Sequence, residues 1–278
     1  MGVRKVLITG GTGFLGSNLL EILQSNNYEI TLLLRRKSIK HFHFLTYYDL
    51  DKLFINENHF DVIFHLAAHI PYGVLDKPDN ELTRTNILLT AKLSLRYPSA
   101  KFILASSVSV YGVNYDLPLN INSNFVLPTL YGKSKLAAEA IVQNHNRYSI
   151  IRFSSLIGPN MKPITFVPRI IKQAKENNII TIWGDGARKQ NYLDVRDAAR
   201  LISHLSDHPD NIIILGIGDF SISNKQIVNL VNKYHPTKIE YIGKDESPSF
   251  IYDDENNYKK INFKLNYTIS KTLKDMIE

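Results

Sequence analysis

No cysteine occurs among the 278 residues. Thiolate nucleophiles, zinc–cysteine centres, iron–sulfur clusters and disulfides are thereby excluded, so any chemistry must use oxygen, nitrogen or a bound cofactor. A reducing compartment is permitted. Long apolar runs are also missing: stretches such as 62–68 fall far short of the roughly 20 residues that a membrane-spanning helix needs. The first fifteen residues lack the charged, apolar and cleavable order of a targeting segment, so a soluble cytoplasmic protein with no membrane partner is expected. Charge of one sign does not dominate. Lys and Arg number 33 against 26 Asp and Glu, a balance of +7, but the basic residues are scattered. They read as a solvated surface, and no nucleic-acid partner is expected. A content of 44% hydrophobic and 21% charged residues supports a sizeable core and excludes a disordered chain.

Glycine is scarce too, with only 14 in the chain, where about 7% is usual. Yet Gly10, Gly11, Gly13 and Gly16 fall within seven residues. Such crowding marks a place where backbone must approach something closely.

Short apolar runs alternate with helical periodicities from the start of the chain. VRKVLITG reads as a buried strand, FLGSNLLEILQSN as an amphipathic helix and YEITLLL as a strand. DVIFHLAA, KFILASS and YSIIRFS continue as strands, separated by the helices NELTRTNILLTAKLSLRY and LYGKSKLAAEAIVQNHN. This is the pattern of an α/β protein, a doubly wound parallel sheet covered by helices, with ligands at the carboxyl ends of the strands. After Gly158-Pro159 the rhythm becomes less regular. A sheet domain is expected at 1–158 plus 194–215, and a small α+β lobe carrying the substrate at 159–193 plus 216–278.

TGGTGFLG stands at the first strand-to-helix junction. Gly10 allows a tight turn, Gly13 lets backbone reach a pyrophosphate at the helix N-terminus, and Gly16 allows close helix–strand packing. Tyr131 and Lys135 are four apart in a helical stretch and leave the same face. An ammonium beside a phenol lowers a pKa that starts near 10, which makes tyrosine a usable acid and base. Ser107 ends the strand KFILASS at the edge where a site belongs, and its hydroxyl could orient a reacting oxygen. The plain alternative for the pair is a surface Tyr and Lys on an amphipathic helix. No His/Asp/Glu cluster has metal-ligand spacing, so no metal is expected.

Through these residues, and through DVIFHLAA, ASSVSVYG, YGKSK, RFSSLIGP, FVPRIIKQA and IWGDGARKQNYLDVRDAA in that order, the chain resembles the extended short-chain dehydrogenase/reductase family. That group holds Rossmann-fold epimerases, dehydratases and 4-ketoreductases of sugar nucleotides. The resemblance implies that Ser107, Tyr131 and Lys135 are the catalytic trio. Tyr131 would exchange a proton with the substrate oxygen, Ser107 would hydrogen-bond it, and Lys135 would hold the nicotinamide ribose. It implies a cofactor site at Gly10, Thr12, Gly13, Phe14, Leu15, Gly16, Arg35, Arg36, Asp49, Leu50, Ala67 and Ala68, together with Tyr131 and Lys135. Asn86 matches an asparagine that supports the active-site strands. His69, Ser109, Ser155, Arg188 and Gln190 are candidates to touch substrate. His65 is expected to be structural, and Trp183 to pack the small lobe or to lie beside a nucleotide base.

Departures from the family pattern narrow the reaction. The second strand ends in Leu34-Arg35-Arg36 where members that favour NAD commonly carry an acid, and arginine suits a 2′-phosphate. NADP is therefore expected, with NAD as the alternative. Val108-Ser109 follow Ser107 where the family's dehydratases carry Asp-Glu, which argues against 4,6-dehydration. The leading expectation is an NADPH-dependent reductase of a 4-keto sugar nucleotide. The alternative is an NAD-dependent nucleotide-sugar 4-epimerase. A non-catalytic dinucleotide sensor or an RNA-binding relative ranks below both. Gln190 stands where members usually have an arginine for the diphosphate, and Ser155 where an asparagine is frequent. Arg188, Lys189, Arg169 and Arg196 are the available replacements. The resemblance also implies a homodimer formed through the helices around Asn86 and Tyr131.

Overall fold

Strand β1 (Arg4–Thr9) explains the architecture in miniature. Val6, Leu7 and Ile8 are all fully buried, as they must be when both faces of a parallel sheet are covered. In the computed structural model, β1 pairs in parallel with β2 (Tyr28–Leu34) on one side and with β4 (Val62–His65) on the other. Described are residues 3–26, 28–35, 42–46, 59–71, 80–113, 116–253 and 257–278.

The chain divides into two compact units. The first comprises residues 1–114, 124–153 and 199–215, and the second 115–123, 154–198 and 216–278. Relative to the expected division, 115–123, 154–158 and 194–198 join the second unit. Strand β7 (Ser155–Ile157) falls in the second unit because it pairs with β9 (Lys189–Asp194) there.

The first unit contains a seven-stranded sheet in the order β10-β6-β5-β4-β1-β2-β3, with β3 at His43–Thr46, β5 at Lys101–Ser107, β6 at Tyr148–Phe153 and β10 at Ile212–Gly216. The order reverses between β1 and β4, which opens a crevice at their carboxyl ends, where ligands of such sheets bind. Helix α1 (Phe14–Gln24) follows β1. A long helical segment runs as α2 (Asn80–Leu82), a π-helical stretch Thr83–Leu88 and α3 (Leu89–Arg96). Helix α4 (Leu130–Gln143) precedes β6. Leu7, Ile63, Phe102 and Leu104 from the strands meet Leu89, Leu93, Ala138 and Val142 from the helices in one core. Each such side chain contributes roughly 1.5–3 kcal/mol by leaving water.

Two features are not legible in the sequence pattern. Strand β3 has no buried residue, so no apolar run marks it; pairing with β2 creates it. The π-helical stretch interrupts what periodicity reads as one continuous helix.

The second unit holds α5 (Phe166–Asn177), a two-stranded parallel sheet of β8 (Ile179–Trp183) and β12 (Lys238–Ile242), and a three-stranded sheet β11-β9-β7 with β11 at Ser221–Ser223. Helices α7 (Asn224–Tyr234) and α8 (Ile269–Ile277) complete it, and Val167, Ile170, Ile180, Ile227 and Leu273 form its core. Helix α6 (Val195–Leu205) bridges the two segments of chain at 198/199. No helix among the described residues is long and apolar enough to cross a membrane.

Candidate active site

The glycine turn at the end of β1 has the shape of a backbone cradle. Gly10 has φ +71°, and a Cβ there would sit 2.7 Å from the Ala67 amide nitrogen. The turn therefore lies directly against Ala67 in the segment that follows β4. Gly13 donates its N–H to the Gly10 carbonyl at 2.9 Å. A Cβ on Gly16 would fall 2.2 Å from that same carbonyl oxygen, so only glycine lets α1 start this close to β1. Gly13 is the N-cap of α1 and no side chain caps the helix. The first N–H groups of a helix have no acceptor within it, and its N-terminus carries partial positive charge. Phe14, Leu15 and Gly16 thus present donors, with Thr12 exposed beside them. This cradle, built of backbone and cleared of Cβ atoms, fits the pyrophosphate of a dinucleotide.

Behind the cradle the side chains are dry and paired. His65 is buried, with Nδ1 2.7 Å from Thr9 Oγ1 and Nε2 2.8 Å from Thr90 Oγ1. Burial, aided by the charge of Lys135, pushes its pKa down to about 3, so the ring is neutral. Thr9 Oγ1 also accepts the Ala67 N–H at 3.0 Å, which ties β1 to the segment after β4. Ala68 and His69 are half-buried. Asn86 lies in the π-helical stretch and is 1% exposed. Its Oδ1 accepts the His69 N–H at 2.7 Å, and its Nδ2 donates to the His69 carbonyl at 3.0 Å and to Ser134 Oγ at 2.9 Å. Ser134 Oγ in turn donates to the Tyr131 carbonyl. The widened helical turn thus lets one amide fasten the β4 segment to α4, a local distortion of the kind that π-bulges supply.

Ser107 ends β5 and caps the 3₁₀ turn Val108–Tyr111 by accepting the Ser109 N–H at 3.1 Å. Its hydroxyl also shares a 3.0 Å hydrogen bond with Ser109 Oγ. Gly132 on α4 packs against this turn, and a Cβ there would lie 2.3 Å from the Ser109 carbonyl oxygen. That close approach brings Ser107 and Ser109 up to the helix turn carrying Tyr131. Thr129 caps α4 by accepting the Gly132 N–H. Tyr131 is half-buried and Lys135 is 2% exposed. Burial drives the Lys135 pKa down to about 8, against the opposing attraction of Glu139.

Four buried residues here escape motif reading. Glu139 receives a hydrogen bond from Ser106 Oγ and a two-pronged contact from Arg152, whose Nε and Nη2 lie 3.1 and 2.8 Å from its oxygens. Arg152 Nη1 donates to the Tyr111 hydroxyl at 2.9 Å. The available signal is a glutamate four residues after Lys135, in the buried register of an amphipathic helix.

The remaining cofactor candidates are spread differently. Arg35 is exposed, and its Nη1 lies 3.4 Å from Glu81 Oε1. Arg36, Asp49 and Leu50 lie outside the described residues.

In the second unit, β9 sits between β11 and β7. Gln190 pairs with Ile222, and Tyr192 with Ser155. Alternation along a strand puts Gln190, Tyr192 and Ser155 on one face of this sheet. Gln190 Nε2 reaches Asn224 Oδ1 at 3.5 Å. Arg188, just before β9, is half-buried, donates from Nε to the Pro248 carbonyl at 3.1 Å and acts electrostatically on Tyr192. The Tyr192 hydroxyl is buried without a hydrogen-bond partner among the described residues, and burial pushes its pKa up against the pull of Arg188. Of the other cations, Arg196 is engaged by Asp194 and Asp275, both at 2.7 Å, while Arg169 and Lys189 are exposed. Trp183 is not interior packing: it is 61% exposed, and Gly243 lies against the edge of its indole. Among the described residues no cluster of three or more His, Asp or Glu side chains could hold a metal ion.

Comparison with known proteins agrees with this geometry. The chain is 29% identical over 271 residues to a dTDP-D-glucose 4,6-dehydratase from Dictyostelium discoideum, matching 82% of this chain but 62% of the relative's length. It therefore spans only about three-fifths of that protein. An uncharacterized UDP-glucose epimerase from Bacillus subtilis is 28% identical, over 98% of this chain and 95% of the relative. The structure of a UDP-glucuronic acid 4-epimerase from Bacillus cereus, in complex with UDP-glucuronic acid and NAD, superposes with a TM-score of 0.80 at 22% identity, covering 99% of this chain and 98% of that one. It shares the fold. A sequence profile of the NAD dependent epimerase/dehydratase family matches residues 6–218. With that match spanning most of the chain, and with the glycine cradle and the Tyr131–Lys135 helix in place, the protein belongs to the NAD-dependent epimerase/dehydratase family of enzymes, within the extended short-chain dehydrogenase/reductase group.

Proposed function

We propose that the protein is a nucleotide-sugar 4-epimerase that retains NAD through its catalytic cycle. The observation that carries this choice over the NADPH-dependent reductase is the ion pair between Arg35 and Glu81. The reductase reading rests on Arg35 and Arg36 meeting a 2′-phosphate. Arg35 instead has a carboxylate for company, and an acid near the end of β2 suits ribose hydroxyls and repels a phosphate. The Bacillus subtilis relative and the Bacillus cereus structure, both named as epimerases and the latter holding NAD, support the same choice.

NAD, when bound, supplies a hydride acceptor that later acts as the donor. The protein's own residues do the rest. Gly10, Gly13, Phe14, Leu15 and Gly16 hold the pyrophosphate, and Ala67 and Ala68 line the dinucleotide. Lys135 holds the nicotinamide ribose and favours the phenolate of Tyr131. Tyr131 takes the proton from the sugar hydroxyl as the carbon loses hydride, and Ser107 hydrogen-bonds the developing carbonyl oxygen. In the return half, Tyr131 would give the proton back to the same sugar oxygen with Ser107 still hydrogen-bonded to it, so that there would be no net oxidation. Val108 and Ser109, following Ser107, offer no acid for eliminating water. In the second unit, Arg188, Gln190 and Ser155 are proposed to recognise the nucleotide diphosphate and Trp183 to lie beside the base; in the first unit, His69 and Ser109 are proposed to contact the sugar. Leu88 and Leu95, 50% and 76% exposed on the helical segment around α3, support a homodimer through that segment and α4.

Freshly purified protein is expected to release near-stoichiometric NAD on acid denaturation and to interconvert C4 epimers of a UDP-sugar without added cofactor. Tyr131→Phe should keep the NAD and the melting temperature and lose at least about 1,000-fold in kcat, since it removes the proton carrier. Protein free of NAD that oxidises NADPH with a 4-keto sugar nucleotide would replace this reading with the reductase.

A further inference from the structure

Tyr131, Lys135 and Glu139 are spaced four apart on α4 and form one stripe. The first two belong to the proposed chemistry, whereas Glu139 has no part in it. It is 1% exposed, and a carboxylate so deep needs strong compensation. Compensation comes from both neighbouring strands. Ser106, next to Ser107 on β5, donates to it, and Arg152 on β6 grips both of its oxygens. Arg152 is itself fixed by the Tyr111 hydroxyl and lies over the rings of Tyr111 and Phe125 at 5.2 and 5.0 Å. Tyr111 closes the 3₁₀ turn that Ser107 begins. The cluster therefore touches every element that presents a candidate catalytic group: the end of β5, the turn after it and α4.

A buried ion pair is seldom retained for stability alone, because apolar residues of the same volume often serve as well. What this one does is hold a negative charge at a fixed point one helical turn from a buried ammonium. The groups acting on Lys135 are Glu139 from its own helix and His65 from β4, which is neutral and adds no charge. Tyr131 lies one turn back on α4, and Arg152 on β6 shares the Glu139 carboxylate. Glu139 is thus the counter-charge available to Lys135.

We propose that Glu139 is a positioning residue, braced by Ser106 and by Arg152 with Tyr111, that keeps Lys135 charged and aligned for the dinucleotide ribose and Tyr131. This rests on the role assigned to Lys135 above. The test is a titration of the whole protein carrying ¹³C-labelled lysine, with the Lys135 signal assigned by its loss in Lys135→Met. The parent midpoint should lie near the expected value of about 8. In Glu139→Gln, which keeps an oxygen for Ser106 but removes the charge, the midpoint should fall by about one pH unit, a tenfold change in the ratio of charged to neutral lysine. The alkaline limb of the kcat profile should move down with it, with KM for the sugar nucleotide little changed. If the Gln variant does not fold, Glu139→Asp keeps the charge but draws it back by one methylene, and should give a smaller shift in the same direction. An unmoved Lys135 midpoint in folded variants overturns the proposal, as does a moved midpoint with an unmoved kcat profile. Absence of epimerase turnover in the parent would count against the proposed function instead. In that event dinucleotide affinity takes the place of kcat, and must weaken in Glu139→Gln as pH rises through the lowered midpoint.

Discussion

The glycine cradle with its Tyr131 helix and the groups around Gln190, Arg188 and Trp183 in the second unit are built on opposite plans. In the first unit, contacts are made by backbone or by side chains whose polar groups are already bonded. Asn86 makes three hydrogen bonds, His65 uses both ring nitrogens, and Glu139 is bound from two strands. In the second unit, Gln190 has a single long contact and Trp183 stands open to solvent, while Arg188 is anchored through Nε alone in the contacts described. Preorganised groups in a dry setting suit a step in which charge develops, since nothing must reorganise as it happens. Half-solvated side chains suit recognition of a substrate that differs from one relative to the next. The departures from the family pattern occur in both units. In the second unit they fall on Ser155 and Gln190, candidates to touch substrate, while the first unit departs at Arg35-Arg36 and Val108-Ser109 but keeps Ser107, Tyr131 and Lys135.

Three experiments would break or sharpen this contrast. The largest effect is expected at Gly16. Gly16→Val places a branched side chain where even a Cβ would lie 2.2 Å from the Gly10 oxygen. Dinucleotide affinity should fall by more than about 100-fold, near 2.7 kcal/mol, as measured by calorimetry on protein shown to be folded. Affinity near that of the parent would mean that the cradle is not the pyrophosphate site.

A smaller and different effect is expected at Arg188. Arg188→Ala should raise KM for the sugar nucleotide about tenfold, roughly 1.4 kcal/mol of binding, and leave kcat and the melting temperature close to the parent values. A fall in kcat at constant KM would instead place Arg188 in the chemistry and erase the distinction between the two regions.

The smallest effect concerns the pH dependence of stability. His65 has a folded pKa near 3, against 6.5 for the unfolded chain. Its contribution is fully present above pH 6.5 and is lost as pH falls through the window toward 3, because the unfolded chain takes up a proton that the folded one refuses. Between pH 6.5 and 5.5 this amounts to about 1 kcal/mol. In His65→Gln the unfolding free energy should show a correspondingly shallower slope over that interval, whatever its absolute value. Equal slopes in denaturant titrations would show that His65 is protonated in the folded protein.

Much of the first unit is legible in the chain itself. A run such as VLI in β1 specifies a doubly buried strand. Crowded glycines specify a turn that only glycine can make, and the spacing of Tyr131 and Lys135 specifies one helix face. These are local statements, decided by sterics and periodicity within a few residues. Cofactor preference is less legible. Arg35 alone reads as a phosphate ligand, and the proposal of NAD rests on its proximity to Glu81, 46 positions further on.

The sequence by itself determined the doubly wound sheet, the glycine turn and the shared helix face of Tyr131 and Lys135, because each follows from short-range rules. Tertiary structure decided the rest. It placed β3 at the sheet edge by pairing rather than by burial, opened the helix at Asn86 so that one amide could hold two segments, and assembled Ser106, Tyr111, Glu139 and Arg152 from four elements. Contact between residues far apart in the chain depends on how strands and helices are layered. No periodicity within a single element encodes the serine and the arginine that bind Glu139 at depth.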